Sequence, residues 1–462
     1  MIPKPRFEAL PWLVRQGAVT ALGWKNRRRR YGDEYKKWTK FLSQSNDWSV
    51  SDRLAWQRST LLSLIELARA GTIHYARSLP PVESLEKSET LEELLLRLPV
   101  LEKQSLRSHA QDFRNGGVAE TVVTSTSGST GSPMKVGHDN LSLQRRFAFL
   151  NDHLRLASIE ITDPSVRLSG RIFCDVRKSQ NKPWLYNSAE RQLFLSSYHI
   201  SPAHSAAISE KLNSLAPVLI DGYPSDILEL LRLLKISKSQ LASLKAIITT
   251  AETLHPDLRA EISELSGVAV MDYYSASEGV PIIQQCTFGT YHVRWQSGIF
   301  EVDDGKRIGF EGDGELICTS FVQDRTPLIR YRTGDIVSGL QQNINATCDC
   351  GLKTATVEQV LGRVEDVIRT SDGRSLGMFT YRTLRDIEGL RETQVIQQDY
   401  ADFEVNCVVA PGADPSKTRE KIKKAFERAL GYSIHLHFNN VEKIPRGPNG
   451  KVRLVISKIP RN

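Results

Sequence analysis

Residues able to bind anions are concentrated in one stretch of the 462-residue chain, Thr124–Lys135, which reads Thr-Ser-Thr-Ser-Gly-Ser-Thr-Gly-Ser-Pro-Met-Lys. Its two glycines, Gly128 and Gly131, allow the backbone to turn tightly and to approach a ligand closely. The hydroxyls that can donate to phosphate oxygens beside main-chain N–H groups belong to Ser127, Ser129 and Thr130. The glycines lie only three positions apart and no Gly-Lys-Ser/Thr follows, so the stretch is not a Walker A loop. A phosphate-binding loop and a flexible Gly/Ser linker are both consistent with this composition.

A second group of residues has the donor atoms of a metal site. Cys286 and His292 lie six positions apart, and Cys348-Asp-Cys350 begins 56 positions after the histidine. Three thiolates and one imidazole make a closed tetrahedral set for a structural zinc, which would tie together the two ends of this region. The Cys-x-Cys spacing is tighter than the usual spacing of zinc ligands, so buried free cysteines are the alternative.

The composition is that of an ordinary globular protein. A chain of 462 residues with 40% hydrophobic content predicts two or more domains with buried cores. No apolar run approaches the roughly 18 residues that span a bilayer, and no signal peptide is evident, so we expect a cytoplasmic protein without a transmembrane segment. The formal net charge of +8 includes the basic run Lys25–Arg30. This run is typical of a solvated helix face, and we expect no nucleic-acid partner; a patch for nucleic acid or an anionic membrane is the alternative.

Hydrophobic periodicity assigns the elements that position these residues. Residues 7–110 predict helices, with capping-box spacing at Thr90 and Glu93, and the Ser/Thr/Gly stretch is expected to join a short strand to a helix. Three β-then-α units follow, which indicates a doubly wound sheet that binds ligands at the carboxyl ends of its strands. Glu252 and Glu278 both fall at such ends. Alternating segments over 290–340 predict antiparallel strands, and a small carboxyl-terminal domain follows.

Taken in order, these stretches resemble the signature of the adenylate-forming enzymes, and most closely the branch of phenylacetate–CoA ligase and the CapK-like capsule-biosynthesis adenylate synthases. The matching segments are Ser127–Pro133 (phosphate loop), Gly222–Ser225 and Ala251–Thr253 (nucleotide pocket), Tyr274–Glu278 (aromatic-to-glutamate motif), Thr333–Asp335 (ribose), Gly362-Arg363 with Glu365 (hinge) and Gly450-Lys451 (catalytic lysine). Each motif is weak alone, but seven in one order over positions 127 to 451 are specific. Two positions depart from the pattern: Ser275 stands where glycine is usual, and Met134 where many relatives have lysine.

The resemblance implies an α/β fold with two domains. Residues 1–361 would form a large ATP- and carboxylate-binding domain with doubly wound, mainly parallel sheets and a small antiparallel β subdomain. Residues 362–462 would form a small, mobile α+β domain that carries the catalytic lysine as a lid.

The resemblance also implies roles for single residues. Lys451 and Ser277 would be catalytic, together with Glu278, which would hold Mg²⁺. Residues expected to bind ATP are Ser127, Gly128, Ser129, Thr130, Gly131, Glu252, Tyr274, Asp335 and Arg363. Glu365 would be the hinge residue about which the small domain turns. Relatives in this branch also support the assignment of zinc to Cys286, His292, Cys348 and Cys350.

The implied activity agrees with elementary chemistry. A substrate carboxylate with a pKa near ~4 is ionised at neutral pH, so the enzyme needs no general base but has to align two anions. The leading hypothesis is activation of an aryl or acyl carboxylic acid by ATP, followed by transfer to coenzyme A. Transfer to an amine or a carrier protein is the alternative, and a non-catalytic nucleotide-binding protein is an alternative of another class. Glu278 as a surface acid, Asp335 as a turn residue and Lys451 as an exposed lysine are the corresponding structural alternatives.

Overall fold

The computed structural model describes residues 10–125, 134–169, 182–196, 200–234, 241–342, 347–363, 368–371, 375–376, 379–384, 387–445 and 452–459. The chain divides into two compact units, which are described separately. The first comprises Met1–Thr333 and Val337–Val360, and the second comprises Gly334–Ile336 and Leu361–Asn462.

The amino-terminal region is helical, as its periodicity predicts. Its helices are α1 (Trp12–Arg30), α2 (Asp33–Gln44), α3 (Val50–Gly71), α4 (Ile73–Ser78), α5 (Val82–Leu85), α6 (Leu91–Leu96) and α7 (Lys103–Ser108). The predicted capping box is present at α6, where Thr90 accepts from the backbone of Glu93 and the Glu93 side chain accepts in return. The buried leucines of these helices pack around Tyr75 and Phe113 in one core.

The Ser/Thr/Gly stretch lies between two antiparallel strands, β1 (Val122–Ser125) and β2 (Lys135–His138). This corrects the expectation that the stretch joins a strand directly to a helix. Val136 and His138 are buried and pair with β1, so the backbone continues as a strand after the loop. The next helix, α8 (Asn140–Arg155), begins only after Asp139, whose carboxylate accepts from the backbone N–H of Ser142 at 2.8 Å.

The remaining elements of this region follow in chain order. They are β3 (Ser165–Ser169), β4 (Trp184–Asn187), β5 (Gln192–Ser196), α9 (Ser205–Leu215), β6 (Leu219–Gly222), α10 (Pro224–Leu234), β7 (Ala246–Thr250), α11 (Pro256–Ser266), β8 (Ala269–Tyr274), β9 (Ile283–Gln285), β10 (Tyr291–Val293), β11 (Gly298–Asp303), β12 (Ile308–Gly309), β13 (Gly312–Ser320), β14 (Tyr331–Leu340), β15 (Thr356–Val357) and β16 (Gln359–Arg363).

Among the described residues, nine strands form the main sheet in the order β15-β10-β9-β8-β7-β6-β3-β5-β4. The five strands β5, β3, β6, β7 and β8 are parallel neighbours, and antiparallel strands continue the sheet on both sides. β6 and β7 are each followed by a helix, as predicted, whereas β8 leads into the antiparallel strand β9, so the third predicted β-then-α unit is wrong. The carboxyl ends of β6, β7 and β8 still lie side by side.

Helices cover both faces of the main sheet. Ile247 and Val270 point into a core shared with α9, α10 and α11, whereas their neighbours Ile248 and Met271 pack with Leu154 of α8. This alternation confirms the expected doubly wound α/β fold. A second sheet, with the order β12-β11-β13-β14-β16, contains the antiparallel strands that were expected after residue 290.

The carboxyl-terminal unit is an α+β fold. Its elements are β17 (Ile368–Arg369), β18 (Ser375–Leu376), α12 (Phe379–Leu384), β19 (Leu390–Asp399), β20 (Asp402–Val409), α13 (Pro415–Leu430), β21 (His435–Asn440) and β22 (Val455–Ser457). The β19–β20 hairpin is extended by β22 and β21, each parallel to its neighbour. Ile422 and Phe426 of α13 pack on Phe403 and Val405 of the sheet, and the helix ends at Gly431 with a positive φ of 87°.

Candidate active site

The β1–β2 hairpin holds the two ends of the predicted phosphate loop together, because Ser125 and Lys135 are paired in its register. Met134, which departs from the family pattern, is buried in the amino-terminal core and anchors the end of the loop there. The loop residues assigned to ATP lie outside the described part of the chain; they are Ser127, Gly128, Ser129, Thr130 and Gly131.

His138 links this hairpin to the aromatic-to-glutamate segment. Its Nε2 lies 3.0 Å from the carbonyl oxygen of Ser277, and the hydroxyl of Thr124 donates to the same oxygen at 2.9 Å. Because a carbonyl can only accept, Nε2 carries the proton, and Nδ1 accepts from the side-chain amide of Gln323 at 3.0 Å. Burial and the nearby charge of Arg146 lower the pKa of His138 to about 4, so the ring is neutral at pH 7.

The aromatic-to-glutamate segment, Tyr274–Glu278, starts at the last residue of β8 and is held from α8. Arg146 donates to the hydroxyl of Ser275 at 2.8 Å and to the carbonyl oxygen of Ala276 at 3.3 Å. Ser275, where the family usually has glycine, therefore contributes a hydrogen bond in this chain. Tyr274 is partly buried and packs between two cores.

Glu278 is a buried acid with a cation beside it. Its side chain is 5% exposed, and Lys103 Nζ of α7 lies 3.5 Å from Glu278 Oε1. Lys103 also donates to the carbonyl oxygen of Thr333 at 3.0 Å, and Tyr331 Oη lies 3.5 Å from the same carboxylate oxygen. Glu278 is therefore not the surface acid of the structural alternative. Burial of a carboxylate beside a lysine is typical of a site that handles charge.

The two nucleotide-pocket segments are adjacent, as their positions at neighbouring strand ends predict. The carboxylate of Glu252 accepts from the backbone N–H of Ser225 at 3.3 Å. Ala251, one position earlier, has a positive φ of 69°, which is unusual for a residue with a side chain and often marks a functional site.

In the carboxyl-terminal unit, two residues assigned to the ribose lie together. Arg363 Nε is 3.9 Å from Asp335 Oδ1. Both retain polar surface, since the Arg363 side chain is 37% exposed and that of Asp335 is 15% exposed. Their ribose role stays a prediction. Lys451 and Glu365 lie outside the described residues.

The four predicted metal ligands converge on one point beside the main sheet. Cys286 follows β9, His292 lies on β10, and the two remaining cysteines lie in the turn before β15. All four donor atoms lie within 4.8 Å of one another. The Sγ atoms of Cys286 and Cys348 are 3.9 Å apart, and Cys350 Sγ lies 3.3 Å from His292 Nε2. We call Cys286, His292, Cys348 and Cys350 the cysteine cluster.

The surroundings of the cysteine cluster prepare its donor atoms. Thr354 donates its hydroxyl proton to Ala355 O, so the hydroxyl oxygen accepts from His292 Nδ1 at 2.9 Å and leaves Nε2 with a free lone pair. A hydrogen bond from Cys350 lowers the pKa of the Cys286 thiol, although burial opposes this shift. A thiolate at this position is the form that binds metal.

The sequence did not single out three residues that the structure brings to this region: Lys103, His138 and Arg146. Lys103 and Arg146 belong to helices whose charged residues look like ordinary exposed positions. His138 lies close behind the phosphate loop, and this proximity is the one signal that could have marked it.

Comparison with known proteins agrees with this geometry. Residues 369–458 match the family described as the CapK C-terminal domain. Protein CapK of Staphylococcus aureus is 27% identical over 367 residues, which cover 79% of this chain and 80% of CapK. The chain resembles CapK. This confirms the resemblance that the motifs indicate.

Solved structures show the same fold. The structure of 2-hydroxyisobutyryl-CoA ligase in the postadenylation state, in complex with R3-HIB-AMP, matches with a TM-score of 0.65 and 18% identity, covering 98% of this chain and 92% of that one. The anthranilate CoA ligase AuaEII in complex with anthranoyl-AMP matches with a TM-score of 0.51 and 15% identity, covering 72% and 66%. This CapK-like chain therefore has the fold of the AMP-forming CoA ligases.

Proposed function

We propose that the chain activates a carboxylic acid with ATP to an acyl-adenylate and then transfers the acyl group to coenzyme A. The observation that carries this proposal is the hydrogen-bonded link between the phosphate-loop hairpin and the Tyr274–Glu278 segment through His138 and Thr124. The relatives support it, because solved structures of this fold are CoA ligases in complex with acyl-AMP molecules. Both substrates that carry phosphate are cytoplasmic metabolites, and we propose a cytoplasmic location for the enzyme.

The reaction has two balanced steps. In the first, a carboxylate oxygen attacks the α-phosphorus of ATP, and the bond from that phosphorus to pyrophosphate breaks. In the second, the sulfur of coenzyme A attacks the acyl carbon, the thiol loses its proton to water, and AMP leaves. The first step concentrates negative charge between two anions, and Lys451 and the N–H groups and hydroxyls of the loop would stabilise it.

The nucleotide pocket has a hydroxyl available to ATP. Ser225 Oγ is buried and, among the described residues, has no hydrogen-bond partner. A buried hydroxyl of this kind is satisfied when a ligand supplies the partner. Ser225 and Glu252 would then bind the base, while Asp335 and Arg363 would hold the ribose hydroxyls and Ser277 would contact the α-phosphate.

Glu278 fits a magnesium ligand by its chemistry. Mg²⁺ in nucleotide sites is held by one or two carboxylates together with the substrate phosphates, and Glu278 offers one buried carboxylate. When bound, Mg²⁺ neutralises charge on the triphosphate. In the metal-free chain, Lys103 would compensate the negative charge of Glu278.

A panel of aryl and acyl acids, tested with and without coenzyme A, examines the proposed activity most directly. We expect ATP-dependent pyrophosphate release with one class of acid, and thioester formation only with coenzyme A; a phenylacetate-like acid is the first to test. Glu278→Gln is the matched inactive control. Adenylation with no thioester would assign the acyl group to an amine or a carrier protein, and ATP binding without pyrophosphate release would contradict catalysis.

The cysteine cluster fits a structural zinc. In a tetrahedral site with Zn–S near 2.3 Å and Zn–N near 2.0 Å, donor atoms lie about 3.5–3.8 Å apart. The distances of 3.9 Å between Cys286 and Cys348 and of 3.3 Å between Cys350 and His292 are close to these values. Four protein ligands leave no open position for a substrate, so the proposed role is structural. One equivalent of zinc by elemental analysis is expected, and none in metal-replete protein would contradict it.

A further inference from the structure

Helix α1 carries apolar side chains on the face that points away from the protein. Leu13 is 76% exposed, Val14 51%, Leu22 54% and Trp24 56%. Of the ten large hydrophobic side chains that the described residues expose, these four lie within twelve positions of one helix. Apolar surface concentrated in this way marks an interaction site more often than scattered exposed residues do.

The inner face of α1 is firmly attached, so the helix has a fixed orientation. Trp12 donates its indole N–H to the carbonyl oxygen of Trp184, and Gln16 accepts from the backbone N–H of Tyr186 on the same strand, β4. Near the other end, Arg30 forms an ion pair with Glu190 at 2.6 Å. The outer face is therefore a constant feature of the surface.

The outer face changes from apolar to basic along the helix. The exposed positions Leu13, Gly17, Ala21, Trp24 and Arg28 follow one another at spacings of three or four, which places them on one stripe. Val14 and Lys25 flank this stripe and are also exposed. No aspartate or glutamate occurs anywhere in α1.

Most of the basic run serves the fold. Arg27 donates to Ala189 O, Arg29 to Thr121 O, and Arg30 pairs with Glu190. Lys25 and Arg28 remain exposed at the end of the apolar stripe.

We propose that the outer face of α1 docks on an anionic phospholipid bilayer, with the helix lying in the plane of the interface. Leu13 and Val14 would enter the acyl boundary, Trp24 would lie at the level of the headgroups, and Lys25 and Arg28 would contact anionic lipid. No described helix is long and apolar enough to cross a membrane. A second copy of the chain fits this face less well. Pairing two α1 helices would bring their cations together, and neither helix has an acidic residue to neutralise them.

Vesicle flotation tests the proposal with the full chain and phosphatidylcholine vesicles that contain or lack phosphatidylglycerol. We expect binding to the anionic vesicles only, and weaker binding at high salt. The variant Leu13→Ser/Val14→Ser/Trp24→Ser should lose binding by roughly 100-fold or more through lost apolar burial. Lys25→Gln/Arg28→Gln should lose roughly 20–30-fold, from about fivefold for each cation near the surface.

Matched controls separate this face from general effects. Ile73→Ser/Leu96→Ser removes exposed apolar side chains elsewhere, and Lys417→Gln/Lys423→Gln removes the same charge from α13; both should bind like the unchanged protein. Each variant is checked for an unchanged melting profile. The proposal is overturned if the unchanged protein does not bind the anionic vesicles, or if the α1 variants bind them as well as the unchanged protein does. So does a dimer that the serine variant dissociates without any vesicle binding, since the face would then be a protein interface.

Discussion

Two groups of polar residues in the first unit are built in opposite ways. The hairpin–glutamate cluster, which we define as Lys103, Thr124, His138, Ser277 and Glu278, draws on segments far apart in the chain, and its members are linked by hydrogen bonds and an ion pair. The cysteine cluster draws its donors from two tight turns and one strand, and its donor atoms face one another across a space of metal size. The first cluster fits the proposed substrate site, and the second fits the proposed structural zinc.

The turns explain why the cysteine cluster was visible in the sequence. Cys286 O accepts from Gly289 N at 3.0 Å, and Cys348 O accepts from Gly351 N at 2.8 Å, so each turn is closed by local hydrogen bonds. Residue type and short spacing therefore carry most of the information. In the hairpin–glutamate cluster, His138 and Ser277 are 139 positions apart, and no local sequence pattern predicts their contact.

The largest effect is expected on the catalytic side of this comparison. Lys451→Ala should lower adenylation by roughly 10²–10³-fold, the loss expected for one group that stabilises developing charge. Thioester formation from preformed acyl-adenylate should be spared. Lys458→Ala, an exposed lysine in the same unit, is the control. Equal losses in both half-reactions would remove the role assigned to Lys451.

On the metal side, Cys348→Ser should abolish zinc binding and lower the unfolding midpoint by about 10 °C, because metal binding to a closed site stabilises the folded chain. The kinetic constants of adenylation at low temperature should change little. Cys407→Ser, which alters a buried thiol outside the cluster, should keep the zinc. A zinc content unchanged in Cys348→Ser would refute the ligand assignment.

Lys103→Met tests whether Glu278 depends on its cation. The variant should lower the free energy of unfolding by about 1–3 kcal/mol in metal-free protein, since it leaves a buried carboxylate without its partner. Adding Glu278→Gln should recover part of that loss in a double-mutant cycle. Lys36→Met breaks an exposed pair with Asp33 and should cost almost nothing. Additive losses would show that the two side chains are not coupled.

His138 is expected to position the hairpin without touching the substrate. His138→Phe should reduce the kcat of adenylation by roughly tenfold, in keeping with lost alignment. His138→Gln should restore much of it, because its amide can donate to Ser277 O as Nε2 does now. Because the pKa of His138 is about 4, titration of its ring should cause no change in activity between pH 5 and 8. Similar kinetics for both variants would contradict the positioning role.

Asp272 lies close in the chain or by hydrogen bonding to members of both clusters, and changing it is expected to have the smallest effect. It lies on β8, which leads to Glu278, and its carboxylate accepts a hydrogen bond from Tyr291, the neighbour of the predicted ligand His292. Burial raises the pKa of Asp272 to about 6, above ~3.9 in the unfolded chain. The native state therefore keeps a proton that the unfolded state releases, and this carboxyl lowers stability as pH rises from about 4 to 6.

Asp272→Asn should remove this decrease of stability with rising pH. Relative to the unchanged protein, the variant should gain about 1–3 kcal/mol of stability between pH 4 and pH 7, measured by chemical denaturation. The buried histidines titrate in both proteins and cancel in the difference. A difference in stability that does not depend on pH would contradict the raised pKa.

The sequence by itself determined the elements and the identity of the reactive groups. Periodicities of about 3.6 and 2 are local properties, so α3, α6 and the units that begin at β6 and β7 could be predicted, as could the order of the motifs and the four residues of the cysteine cluster. The tertiary structure alone decided which charges meet. Lys103, His138 and Arg146 acquire roles only because distant segments pack together, and burial then makes each partner necessary. The tertiary structure also decided which face of α1 points outward, because the attachment to β4 fixes the rotation of the helix about its axis.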